Sequence, residues 1–212
     1  TLLTLYGTIE SINAGRIDPN NVFYVNVDDN LAGIITKNRI AEEYHFHMLA
    51  DGHLGFRSNV LRSMLWDITI NDQADGTILI LDTAKKFTNL MDKSKASGFG
   101  QLIRPFVMKG GTVIALAHVN KHPGRDGKPT YAGTTDFVDD ADCAYTIDVL
   151  EANQAGQRIV VFDNIKRRGN NALSAYFRYS IEDGLSYEER LASVSPVDET
   201  QLLNLQQTVE HQ

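Results

Sequence analysis

Apolar residues recur along the opening stretch TLLTLYGTIESI as Leu2, Leu5, Tyr6, Ile9 and Ile12, a spacing that predicts an amphipathic helix. Gly15 and the run DPNN break that pattern. A β-rich run follows, VFYVNVDDN over 22–30, and it ends on the carboxylates Asp28 and Asp29. Residues 31–50 mix apolar and charged positions as a surface helix does, and NVLRSMLWDITIND over 59–72 predicts another helix. The stretch DGTILILDT, 75–83, then carries a β-branched and leucine run onto a single acid, Asp82.

Beyond the polar, basic stretch TAKKFTNLMDKSKASG, an amphipathic helix is predicted around FGQLIRPFVMKG, with Gly110 and Gly111 as its stop signal. GTVIALAHVNK is a third apolar strand ending at His118, and 120–136, rich in glycine and proline without an apolar period, reads as a long loop. CAYTIDVLEA and QRIVVFDNIKRRGNNALSAYFRYSI predict strands joined by tight connections at NQAGQ and RGNN. From Ser186 the chain turns polar, with a break at Pro196 and a glutamine-rich finish, which suggests a tail or a short peripheral helix over 186–212.

Nearly all-apolar strands alternating with helices predict an α/β fold: a mainly parallel central sheet with helices on both faces and an antiparallel extension on one side, in one domain over 1–185. Ligands of such sheets bind at the carboxyl ends of the strands. Asp28, Asp82 and His118 are all expected at that rim.

Composition narrows the setting. Forty-two per cent apolar and 22% charged residues suit a folded protein, and the single Cys143 precludes an internal disulfide, as a reducing cytoplasm requires. No apolar run approaches the roughly 20 residues that span a bilayer, so the expected location is cytoplasmic, without a membrane partner. A net charge of −7 argues against coating nucleic acid over the whole surface and leaves room for a local basic channel.

The rim residues suit phosphoryl transfer, which needs a metal ion, a group that orients water and positive charge for the transition state. Asp82 is a candidate magnesium ligand, Asp28 a candidate water activator, and His118 a candidate sensor of a terminal phosphate. Lys166 and Arg168 of NIKRRGNN fall on one side of a strand end by alternation, where they can reach a neighbour's phosphates. Each has an ordinary structural alternative: a turn or helix-cap carboxylate for the acids, a hydrogen-bonded structural histidine for His118, a solvated basic turn for the last pair.

Their order is more specific than any one of them. The acid pair after VFYVNV, the ILILD strand, the VIALAHVNK strand, the GTTDF element and the KRRG turn together resemble the RecA-like P-loop ATPases, in the branch of the hexameric replicative helicases of the RepA and DnaB kind with the RadA-type recombination ATPases nearby. The likeness spans about residues 1–180.

The resemblance implies ATP and Mg2+ as ligands, single-stranded DNA as partner and a homo-oligomeric, hexameric ring. It makes Thr1 the last residue of the phosphate loop and a magnesium ligand, with the rest of that loop and its strand expected ahead of Thr1. Asp82 becomes the second magnesium-site acid, Asp28 stands where the family has a catalytic glutamate, His118 matches the γ-phosphate sensor, and Lys166 and Arg168 match fingers supplied in trans. Asp28 is one methylene shorter than glutamate, which implies slow hydrolysis. DNA contact is expected from 84–98, with Lys85, Lys86, Lys93 and Lys95, and from 120–136, with Lys121, Arg125 and Lys128; Phe87 and Tyr131 are the aromatic platforms there. Three rivals remain: a nucleotide-binding regulatory protein of the same fold with little hydrolysis, a Rossmann-type oxidoreductase, and a partner-binding domain whose site has decayed. The oxidoreductase is disfavoured because no G-x-G-x-x-G follows a predicted strand.

Overall fold

The computed structural model of the chain describes residues 1–53, 55–88, 92–120, 135–150, 156–198 and 200–201. It divides into two compact units, the first holding almost all of 1–118 with 132–140, the second almost all of 141–212 with 119–131. The sequence predicts one domain over 1–185; each compact unit is built around a sheet of its own.

The first unit is an α/β layer structure. Helix α1 (Leu2–Asn13) precedes β1 (Val22–Asn26), then come α2 (Leu31–Glu43), β2 (His47–Ala50), α3 (Leu61–Ile70), β3 (Ile78–Asp82), α4 (Lys93–Met108), β4 (Thr112–Leu116) and the short α5 (Thr135–Asp139). The four strands form one all-parallel sheet in the order β2-β1-β3-β4. β2 is an addition to the sequence reading, which ran a helix through 31–50. A four-residue strand is too short to show a period, and the turn before it is made by His45 in a left-handed conformation rather than by glycine or proline.

Alternation along β1 and β3 settles which residues face which layer. Val25, Leu79 and Leu81 pack into a core with Leu61 and Leu65 of α3 and Phe99 and Phe106 of α4. Tyr24, Asn26, Ile80 and Asp82 lie on the alternate positions and are all buried. On that second face Thr1, at the start of α1, meets Asp82. The two-sided apolar character of ILILD is therefore the mark of a strand with layers on both sides.

The stop after α4 is as the sequence suggests. Gly110 takes a φ of 90°, and the Gly111 amide donates to the Phe106 carbonyl at 3.1 Å, closing the helix against β4.

The second unit is a four-stranded antiparallel sheet, β5 (Cys143–Leu150), β6 (Gln157–Arg167), β7 (Ser174–Ser180) and β8 (Ser195–Val197), in sequence order, with α6 (Tyr187–Ala192) between the last two. It corrects the expected antiparallel extension: these strands pair with one another in a sheet of their own, and among the described residues no ladder joins them to β1–β4. Hairpin-length connections pair adjacent strands locally, so no central sheet is needed to template them. Residues from Ser186, which read as a tail or a peripheral helix, carry both a helix and a strand; Ser186 and Glu189 form a capping box that starts α6, and Val197 joins Ile159 in the core. Among the described residues no helix is long and apolar enough to cross a membrane.

A methyl group at Gly111 would overlap the ring of Phe106, which is fully buried and would have to shift within the core. Gly111→Ala is expected to lower the stability of the first unit by about 1–3 kcal/mol, the cost of overpacking a rigid core, read as an earlier urea midpoint.

Candidate functional site

In the strand order β2-β1-β3-β4 the chain leaves β1 toward one edge and returns to build β3 and β4 on the other side. The connections after β1 and β3 therefore run in opposite directions and leave a crevice between their carboxyl ends, the place where open parallel sheets bind ligands. The residues at that crevice are fixed by register: Asn26, the last of β1, is the partner of Asp82, the last of β3.

Asp82 is only 8% exposed. Its Oδ2 accepts two hydroxyl hydrogen bonds, from Thr1 Oγ1 and from the Tyr24 phenol, both 2.7 Å long. Thr1 caps α1 without giving its side chain to the helix amides, as an N-cap threonine ordinarily does; its hydroxyl is turned to the acid of β3 instead. Sequence positions 1 and 82 thus form one pair of hard oxygen groups.

Around this pair lies a second set that the sequence reading did not single out. Lys37, on the buried stripe of α2 with Ile40 and Ala41, is ion-paired with Asp29, and Asn26 Nδ2 donates to the same carboxylate oxygen at 2.7 Å. Burial pushes the Asp29 carboxyl up, but the hydrogen bonds from Lys37 and Asn26 outweigh it and hold the group below its ordinary value. The Oδ1 of Asn26 is buried with no donor in reach. The available signal for Lys37 was positional: a charge at the helical period of an apolar stripe.

Asp28 faces the opposite way, toward the rim. Lys85 Nζ and Lys86 Nζ stand 3.4 Å from its Oδ2 and Oδ1, and His118 Nε2 stands 3.6 Å from Oδ2. Desolvation pushes the Asp28 carboxyl up, and the two lysines more than reverse it, so the group is held low. Three connections, after β1, β3 and β4, thereby bring Asp28, Lys85, Lys86 and His118 together as the sequence pattern anticipated for the acid and the histidine. The lysines differ from expectation: they lie on a single 3-10 turn, Ala84–Lys86, turned to Asp28, and Lys95 is in the first turn of α4 rather than in a loop.

Lys166 and Arg168 belong to the second unit. Lys166 is near the end of β6, opposite Ala144 beside a β-bulge, and Arg168 follows it, paired with Asp142 at 3.1 Å. Lys121, Arg125, Lys128 and Tyr131 lie outside the described residues, as does most of the predicted 120–136 loop.

Among the described residues no three His, Cys, Asp or Glu side chains are grouped to hold a metal ion. A magnesium ion does not need such a group, because it keeps several waters and takes one or two protein oxygens besides those of a substrate phosphate. The paired oxygens of Thr1 and Asp82 fit that donor set, and the unpartnered Asn26 Oδ1 in register with Asp82 is an acceptor suited to a metal-bound water. Comparison with protein-family models and with curated proteins found no match to this chain.

Lys37→Met removes the cation that holds Asp29 low, and should cost about 1.5–3 kcal/mol at neutral pH, the range for a hydrogen bond to a charged group. Since the folded value of Asp29 is depressed, its contribution is complete above the unfolded value of about 3.9 and is lost as pH falls through the lower folded value. The difference in unfolding free energy between wild type and variant should therefore be largest near pH 7 and shrink below about pH 4, measured by denaturant titration across that range.

Proposed function

We propose that this chain is the body of a RecA-like ATPase, an ATP-hydrolysing motor that acts on single-stranded DNA in the cytoplasm as a ring-forming helicase or as a replication or recombination ATPase. The observation that carries the reading is the 2.7 Å hydrogen bond from the Thr1 hydroxyl to the Asp82 carboxylate at the β1/β3 crevice of a parallel sheet. Two residues 81 positions apart meet there as the pair that the resemblance assigns to magnesium.

In this mechanism Thr1 and Asp82 would hold Mg2+, and Tyr24 keeps the Asp82 carboxylate aimed by donating to it. The ion, when bound there, would supply charge neutralisation for the transferring phosphoryl group. The transition state of phosphoryl transfer is loose, so the attacking water needs alignment more than deprotonation. Asp28, at the rim beside His118, is suited to aligning it, because a carboxylate oxygen accepts a hydrogen bond from water. His118 contacts the terminal phosphate, and Lys166 and Arg168 serve a neighbouring subunit's nucleotide in a hexameric ring, supplying positive charge in trans.

The engagement of Asp28 by two lysines also favours a second reading, a nucleotide-binding switch protein of the same fold that hydrolyses little. Turnover and its response to DNA separate the two.

The test is magnesium-dependent ATP hydrolysis by the full-length protein, with and without single-stranded DNA. Wild type should turn over faster with DNA, and Asp82→Asn should lose at least about a hundredfold in rate, the scale of a lost charge-stabilising group. It should keep its unfolding midpoint because the amide oxygen still accepts from Thr1 and Tyr24. Lys166→Ala should be inactive alone and regain activity when mixed with Asp82→Asn subunits. DNA-independent turnover or none at all would remove the motor assignment.

A further inference from the structure

Lys85, Lys86 and His118 surround one carboxylate, and the arrangement is a poor way to build a structural tie. The Asp28, Lys85, Lys86 and His118 side chains are between 34% and 59% exposed, and ion pairs that open to water contribute little to stability. Lys85 and Lys86 are neighbours on a 3-10 turn, where successive side chains diverge by about 120°. Both nevertheless bend to Asp28, one to each oxygen, against their mutual repulsion. His118 Nε2 is also 3.0 Å from Lys85 Nζ, so the imidazole and the ammonium share the same small space. One carboxylate against two ammonium groups leaves a net positive charge with neutral histidine.

This is the geometry of an oxyanion site whose present occupant is a side chain. We propose that Lys85, Lys86 and His118 form a terminal-phosphate site that Asp28 fills when no nucleoside triphosphate is bound, and that the γ-phosphate displaces Asp28 and frees it for the attacking water. A terminal phosphate offers three acceptor oxygens and more charge than a carboxylate, so it competes for the same donors. The exchange would make the water-orienting group available only when there is a γ-phosphate to attack. The proposal rests on the ATPase reading of this rim and adds a role for the lysines that the sequence assigned to DNA. A DNA backbone phosphate has the same chemistry, and the experiment separates the two sources.

The affinities of a slowly hydrolysed β,γ-imido ATP analogue, of ADP and of a single-stranded oligonucleotide would be measured on the complete protein as wild type, Asp28→Asn and Lys85→Ala/Lys86→Ala. Asp28→Asn removes the competitor, so it should bind the analogue about tenfold tighter with ADP unchanged, and the double variant should lose about tenfold or more of the preference for analogue over ADP. ADP affinity also reports that each variant is folded. In wild type the His118 ring resonance should shift with the analogue and not with ADP by NMR, a readout that needs no substitution. Analogue affinity unchanged or weakened in Asp28→Asn, with both nucleotides still bound by wild type, overturns the exchange and leaves the ATPase reading standing. Tighter oligonucleotide binding in Asp28→Asn without a change for the analogue assigns the site to DNA and overturns it as well. Failure of wild type to bind either nucleotide overturns both.

Discussion

A carboxylate that is more than nine-tenths buried costs several kcal/mol unless its oxygens are given donors. Asp82 receives them from two hydroxyls, Tyr24 on the neighbouring strand and Thr1 at the start of α1. That requirement ties the rest of the first unit together. It holds the end of β3 level with the end of β1, fixes where α1 must begin, and turns the polar ends of both strands toward the second face of the sheet, away from the apolar core under α3 and α4. Without the register of Asn26 against Asp82, neither Tyr24 nor Thr1 would reach.

The acids of VNVDDN do different work because the strand ends before both of them. Asn26 is the last residue in the ladder, so its direction is set by alternation; Asp28 and Asp29 lie beyond it and are free to part. Asp29 is drawn inward to the buried Lys37, while Asp28 is drawn outward to Lys85 and Lys86. Two adjacent carboxylates are in this way kept apart, each compensated by its own cations, and both are held below their ordinary values. A crevice that is to accept a polyphosphate cannot carry two uncompensated negative charges. The pairing of each acid with lysine is compatible with such a ligand, whereas a pair of free acids would repel it.

The second unit follows a different logic. Its strands are consecutive and antiparallel, and its aromatic side chains order it from within: Phe162 meets Tyr145 and Phe177 edge to face. The bulge beside Ala144 lies where β6 carries Lys166, a position at which strands commonly re-aim a side chain.

The chain's pattern determined the class of the fold and the rim of the site. ILIL is apolar at every position because both faces of β3 are covered, whereas VIALA lies on the edge strand β4, where Ile114 is exposed; in both, the first polar residue after the apolar run lies at the strand's end, and Asp82 and His118 were found by that rule alone. Pattern did not determine β2, whose four residues are too few to show a period, nor the separation of the antiparallel strands into their own sheet, since a hairpin signal states that strands pair with each other and not what else they pair with. Only the tertiary structure decided the partners within the site. Thr1 with Asp82 and Lys85 with Asp28 are set by strand order and register, which bring together residues 81 and 57 positions apart, and no local spacing encodes which lysine will face Asp28.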